Sequence, residues 1–206
     1  MAKIIAAMGV PGSGKSSTFK ALGKLLLLDT YCEPEEAWWH NPNGDLFTKL
    51  QLLRSHRVLN LKKAEALRRI GISSLVDSCY DILLNYYIGN SSVEWFFKPT
   101  TPYSRIIKDL AKLDCALLPA PDCIVFFKIN YNLWVKRLET RDRFFDTYKG
   151  MLGSFWEMQT DMLKATEAYC KERQSRLILF EQEDLPISTL AFKLGKNFVS
   201  VNRGEN

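Results

Sequence analysis

Eight consecutive residues near the start of the chain have the types and spacing of a phosphate-binding loop. They run from Gly9 to Ser16 as G-V-P-G-S-G-K-S and match the pattern G-x-x-x-x-G-K-[S/T] at each fixed position. Glycines let the backbone curl so that N–H groups point at phosphate oxygens, Lys15 can reach the β- and γ-phosphates, and Ser16 can offer a hydroxyl to Mg²⁺. The pattern therefore predicts a site for ATP and Mg²⁺. The residues expected to hold the nucleotide are Gly9, Val10, Pro11, Gly12, Ser13, Gly14, Lys15, Ser16 and Ser17.

Two carboxylates follow apolar runs that are typical of buried strands. Asp77 comes directly after I-S-S-L-V, where an acid suits Mg²⁺ or its bound waters, although it could instead cap the next helix. Glu33 follows the second run, where a carboxylate could accept a proton from an attacking hydroxyl. Position alone does not distinguish this from a solvent-facing residue before a proline, because Glu35 and Glu36 stand beside it.

Three arginines lie at the end of a helical pattern in the second half of the chain. Arg137, Arg141 and Arg143 are followed by two phenylalanines. Arginines on a segment that closes over a nucleotide can neutralise charge on a transferring phosphoryl group. On spacing alone, an ordinary charged surface explains them equally well.

The elements that must position these residues alternate along the chain. Apolar runs predict strands at 3–8, 26–32, 72–76, 123–129 and 176–180. Helical periodicity predicts helices at 15–25, 46–69, 80–88, 103–113, 132–140, 155–173 and 186–198. This alternation predicts a three-layer α/β fold with a five-stranded parallel sheet, as in P-loop NTPases. We expect one domain over residues 1–206, with a lid at about 137–150 and ligands at the carboxyl ends of the strands.

Composition excludes several classes of protein. The chain has 206 residues, of which 47% are hydrophobic and 25% charged, with a net charge of +5, so wholesale disorder is excluded. No apolar run approaches the ~18 residues of a membrane helix, and a glycine-rich loop occupies the place of a signal core. Five cysteines without a C-x-x-C pair, and two histidines, argue against a disulfide framework or a structural zinc site. We expect a cytoplasmic protein with reduced thiols.

Further stretches resemble the deoxynucleoside kinases. The E-P-E-E-A-W of residues 33–38, followed by N-P-N-G at 41–44, resembles the family's E-P-x-x-x-W…N-x-N-G. Residues 50–57, L-Q-L-L-R-S-H-R, are similar to its L-Q-x-x-x-x-x-R helix. The P-D pair at 121–122 and R-L-E-T-R-D-R at 137–143 resemble its fourth strand and its lid.

The resemblance implies a function and a role for each matching residue. It implies ATP-dependent transfer of a phosphoryl group to the 5′-hydroxyl of a deoxyribonucleoside. Glu33 would be the general base, and Lys15 would contact the phosphates. The other implied roles are Gln51 at the base edge, Trp38 in the wall of the base pocket, Arg57 on the acceptor side, Asp77 as the acid after strand three, and Arg137, Arg141 and Arg143 in the lid. The expected partners are small nucleosides or nucleotides rather than a nucleic-acid polymer or a membrane, with a homodimer as an open alternative.

Two departures from the family pattern lie on the acceptor side. Where the family has an arginine after the acid, this chain has Ser78 or a deletion of one residue. The stretch between Gly44 and Leu50 is shorter than usual and lacks the tyrosine that grips the sugar in the family. Thymidylate kinases are the alternative, because their arginine-bearing helix, A-L-x-x-G and following strand resemble Arg57, residues 66–71 and Asp77. Their R-E-P-G-G-T is absent, however. A nucleotide-binding protein without a small acceptor is the third hypothesis.

Overall fold

The structure, a computed structural model, describes residues 2–32, 46–77, 116–141 and 149–199, and residues 106, 109, 110, 113 and 114; for residues 46–53, 141, 149–155 and 199 it describes the backbone alone. The strands are β1 (Ile4–Met8), β2 (Asp29–Tyr31), β3 (Ser74–Asp77), β4 (Cys123–Lys128) and β5 (Arg176–Glu181). The helices are α1 (Lys15–Leu26), α2 (Leu46–Arg69), α3 (Tyr131–Arg141), α4 (Lys149–Arg173) and α5 (Ile187–Val199).

The five strands form one parallel sheet in the order β2-β3-β1-β4-β5. Side chains alternate between its two faces, as the strand period requires. Along β1, Ala6 and Met8 belong to one hydrophobic cluster, while Ile5 and Ala7 belong to another. Helices α3 and α4 cover the first cluster, and α1 and α5 cover the second. The predicted three-layer α/β fold is therefore confirmed.

The order of the strands creates a crevice at the carboxyl end of β1. From β1 the chain crosses through α1 to β2, on one side, whereas it later reaches β4 on the other side. Neighbouring strands β1 and β3 pair in register, with Ala7 opposite Asp77. In open parallel sheets, ligands bind where the loops after two adjacent strands run to opposite sides of the sheet, because a space opens between those loops. The fold therefore places the loop after β1 beside Asp77.

Most predicted elements are found within a few residues of their expected bounds, but β2 is shorter than predicted. Helix α1 continues through Leu26, and Leu27 ends it in the left-handed region at φ 55°. The N–H of Leu28 closes this turn on the carbonyl of Gly23 at 2.9 Å. The apolar run at the start of the predicted strand is thus the end of a helix, and Leu27 is 92% exposed.

Some predictions concern residues outside this description. The predicted helix at 80–88 lies outside the described residues, and so does the part of the proposed lid at 142–148. Within the predicted helix at 103–113, the described residues are helical. Among the described helices, none is long and apolar enough to span a membrane.

Candidate active site

The loop between β1 and α1 has the backbone conformation that its glycines predict. Gly9 has φ 138°, and a Cβ at this position would lie 2.7 Å from the carbonyl oxygen of Phe127. Gly14 has φ 84° and caps α1. Since Gly14 has no side chain to occupy the first-turn N–H groups, and the first turn of α1 contains no acid, this end of the helix favours an anion.

The ammonium group of Lys15 is held over the loop. Its Nζ donates to the carbonyl oxygens of Gly9 and Val10, at 2.8 and 2.9 Å. The side chain folds back along the loop that bears it and places a positive charge beside the N-terminus of α1. The ammonium group of Lys15 and the N-terminus of α1 both stabilise a negative charge placed above the loop.

Ser16 and Asp77 come together across the crevice. The Ser16 hydroxyl donates to a carboxylate oxygen of Asp77, which is 2% exposed. A hydroxyl and a carboxylate side by side are the oxygen ligands that Mg²⁺ prefers, and Mg²⁺ at phosphate sites needs only one or two protein groups. The donor set therefore fits Mg²⁺. Within the described ranges, no three His, Cys, Asp or Glu side chains gather into a cluster that could hold a metal ion.

Helix α3 supports the phosphate loop from outside. Asn130 caps this helix, since its side-chain oxygen accepts from the N–H of Leu133 at 2.9 Å. One turn later, the buried Trp134 donates its indole N–H to the carbonyl of Pro11 at 2.8 Å. Three residues further on, Arg137 donates to the carbonyl of Ser13 at 3.2 Å. Spacing of i and i+3 puts both donors on the same helix face, so α3 fixes two carbonyls of the loop.

The Arg137 guanidinium lies between this loop and the segment after β5. It donates to Oε1 of Gln182 at 2.9 Å and to the carbonyl of Glu183 at 3.1 Å. A Cβ on Gly14 would lie 2.9 Å from Arg137 Nη1 and 3.0 Å from Gln182 Oε1. Burial lowers the pKa of Arg137 while the nearby Asp184 carboxylate raises it, and a guanidinium stays charged throughout the usual pH range. Gly14 thus leaves room for a charged side chain against the phosphate loop.

The structure describes the other predicted site residues to different degrees: some with their side chains, some by backbone alone, and some not at all. Arg57 lies on the buried face of α2 and is 5% exposed. Gln51 and Arg141 lie within α2 and α3, but only their backbone is described. Glu33, Trp38 and Arg143 lie outside the described residues, and their roles stay predictions.

Three solved structures are similar to the chain over nearly its whole length. A thymidylate kinase from Ehrlichia chaffeensis has a TM-score of 0.55 at 12% identity, and the match covers 96% of this chain and 98% of the kinase. A deoxyadenosine kinase from M. mycoides, solved with dCMP and dCDP, has a TM-score of 0.59 at 17% identity, with 96% and 99% covered. A thymidylate kinase from Candida albicans has a TM-score of 0.63 at 14% identity, with 98% and 92% covered. The chain has the P-loop kinase fold.

Comparisons of the sequence alone find no such relative. No family model matches the sequence, and no curated protein matches it significantly. The identity to the three solved structures is only 12–17%.

Two residues at the site were not predicted from the sequence. Trp134 had no motif to mark it, because an aromatic residue in a helix is usually part of the core. Gln182 follows β5 directly, so the rule that ligands lie at the carboxyl ends of parallel strands points to it when applied to all five strands.

Proposed function

We propose that the protein transfers the γ-phosphoryl group of MgATP to the 5′-hydroxyl of a deoxyribonucleoside. The observation that carries the proposal is the convergence of Lys15, Ser16 and Asp77 at the end of β1, on a P-loop kinase fold. Charge, hydroxyl and carboxylate stand where a nucleotide's phosphates and its cation must lie.

On the donor side, each described group has a defined task. Backbone N–H groups at the start of α1 would bind phosphate oxygens, and Lys15 would exchange its two carbonyl partners for them. Ser16 and Asp77 would hold Mg²⁺, which supplies positive charge to the transferring group when bound. Because the loop backbone and α1 are in place before the nucleotide arrives, the backbone N–H groups need little reorganisation, whereas Lys15, Ser16 and Asp77 change partners on binding.

On the acceptor side, the path of the chain supports Glu33 as the general base. β2 pairs with β3 so that Tyr31 lies opposite Val76, one residue before Asp77. The next residue, Cys32, reaches the carbonyl of Ser16 with its Sγ at 4.0 Å. Glu33 therefore follows a residue that already contacts the end of the phosphate loop, which is where an acceptor hydroxyl must approach.

The test of this assignment is Glu33→Gln, which keeps the shape and removes the charge. Since a hydroxyl is a poor nucleophile until its proton is accepted, we expect kcat to fall by ~10²–10⁴-fold. Affinity for MgATP, measured separately by calorimetry, should stay within a few-fold. Glu35→Gln, two residues away, is the matched control and should keep wild-type kcat. A near-wild-type kcat in Glu33→Gln would show that Glu33 is not the general base and is only a residue of the turn before a proline.

A nucleoside monophosphate kinase is the second candidate, because the structures similar to this chain include two thymidylate kinases. A monophosphate is already ionised and needs cations rather than a base to approach ATP. In that case Glu33→Gln would have little effect on kcat, whereas loss of the buried Arg57 would be severe. A nucleotide-binding protein without a small acceptor would bind MgATP and transfer nothing in either test.

A further inference from the structure

The side chain of Gln182 is buried, but among the described residues only the oxygen of its amide group forms a hydrogen bond. The residue is 4% exposed, and its backbone N–H donates to the carbonyl of Lys128 at 2.7 Å. Its Oε1 accepts from Arg137, whereas its Nε2 is a buried donor that lacks a hydrogen-bond partner in the described part of the chain. A buried donor left unpaired destabilises a fold, which offsets the stabilising bond that Oε1 accepts from Arg137. The amide therefore adds little net stability.

What Gln182 contributes is an acceptor for the Arg137 guanidinium. Nη1 of Arg137 donates hydrogen bonds to Gln182 Oε1 at 2.9 Å and to the carbonyl of Ser13 at 3.2 Å. Nη2 reaches the carbonyl of Glu183 at 3.1 Å. All three acceptors are neutral, and together they fix the guanidinium plane against the outer side of the loop, with Gly14 leaving the space it needs.

Neutral acceptors hold an arginine without cancelling its charge. A carboxylate would bind the guanidinium more strongly, but the pair would then be neutral overall. An acid with an electrostatic effect on Arg137 is Asp184, which is exposed and paired with Lys136 at 2.6 Å. Water and salt screen that exposed pair, so it offsets little of the charge on Arg137.

We propose that Gln182 is a positioning residue, which holds Arg137 against the phosphate loop while keeping its positive charge for the bound nucleotide. The inference rests on the proposed MgATP site and deepens it. It assigns to the segment after β5 a part in nucleotide affinity that the phosphate-loop pattern does not contain.

The experiment is calorimetric titration of MgATP into the full chain and two variants, with thermal melts of each. Gln182→Glu keeps the acceptor and the shape but adds a negative charge, and we expect MgATP to bind about five- to tenfold more weakly at low salt. This loss should shrink markedly between about 0.05 M and about 0.5 M NaCl, because salt screens charge but not shape. Gln182→Met removes the acceptor, and we expect an affinity about three- to tenfold lower. The melting temperature should change little, because the variant loses the unpaired Nε2 donor as well as the bond to Arg137.

Gln174 provides the matched control, since it is exposed and lies just before the amino end of β5, whereas Gln182 follows its carboxyl end. Gln174→Glu and Gln174→Met should bind MgATP as the wild type does. If the wild type binds MgATP and both Gln182 variants bind equally well, the inference is overturned and the proposed function stands. A loss in Gln182→Glu that is the same at both salt concentrations overturns the charge argument. A wild type that does not bind MgATP removes the proposed function and the inference with it.

Discussion

At the scale of single residues, Lys15 is the side chain on which the proposed nucleotide site depends most. Its ammonium is anchored by two carbonyls of its own loop, and it shares the space above α1 with Ser16 and the buried Asp77. The chain thus concentrates charge and oxygen ligands within a few residues of one strand end. A positive charge in such a partly buried place acts on phosphates more strongly than one in open water.

We therefore expect Lys15→Ala to abolish measurable phosphoryl transfer, a loss of about 10²-fold or more in kcat/KM. Lys24→Ala removes the same kind of charge from the exposed far end of α1 and is the control. Initial rates with saturating acceptor measure the effect, and a melting curve checks the fold. Full activity in Lys15→Ala with the fold intact would contradict the nucleotide-loop assignment.

At the scale of elements, α3 has two tasks on one face. It packs on the sheet through the first hydrophobic cluster, and it also holds the carbonyls of Pro11 and Ser13. Packing and loop geometry are consequently linked. A change that loosens α3 should therefore alter the affinity for MgATP as well as the stability of the fold.

Trp134→Phe tests this link, because it keeps a buried aromatic ring and removes the N–H that binds Pro11. We expect the free energy of unfolding to fall by about 1–3 kcal/mol and KM for MgATP to rise about three- to tenfold. Trp156→Phe is matched, since its ring lies 6.4 Å from that of Trp134, and it should leave KM unchanged. Equal KM values in the two variants would show that α3 does not set the geometry of the loop.

The end of α3 leads into the proposed lid, where a different outcome is expected. Arg141→Ala and Arg143→Ala should each lower kcat by about 10²-fold with little effect on the melting temperature, because they would act on the transferring charge. Steady-state kinetics on both variants measures this, with Lys164→Ala on the exposed side of α4 as control. Unchanged kinetics in both variants would show that these arginines are ordinary charged surface residues.

How far the sequence predicted these elements depended on the kind of signal. The phosphate loop, the parallel sheet and α2 followed from glycine spacing, apolar runs and helical period, all of which are local. The boundary between α1 and β2 did not, because four consecutive leucines fit a helix end as well as a strand. Trp134 and Gln182 owe their importance to contacts across more than 40 residues, with Pro11 and Arg137, which no local pattern contains.

At the scale of the whole molecule, the site is assembled from the ends of separate parts of the chain. Four parts of the chain meet at the carboxyl ends of the strands: the loop after β1, Asp77 of β3, α3 and the segment after β5. A ligand that contacts all of them stabilises the folded chain as a unit, since the unfolded chain offers no such arrangement.

MgATP at about 100 times its Kd should therefore stabilise the fold by about 2.7 kcal/mol and raise Tm by roughly 5–10 °C for a chain of this size. A melting curve with and without MgATP measures the shift, and the Lys15→Ala protein should show a much smaller one. An equal shift with Mg²⁺ alone would point to the ion rather than the nucleotide.

The most direct test of the central claim is an acceptor panel, in which MgATP is incubated with deoxyribonucleosides, with their monophosphates, and with no acceptor. Formation of ADP is followed over time, and the phosphorylated product is identified by mass spectrometry. We predict that at least one deoxyribonucleoside yields its 5′-monophosphate in step with ADP, and that the Lys15→Ala protein does not form it. Turnover with monophosphates alone, or MgATP binding without transfer to any acceptor, would contradict the claim.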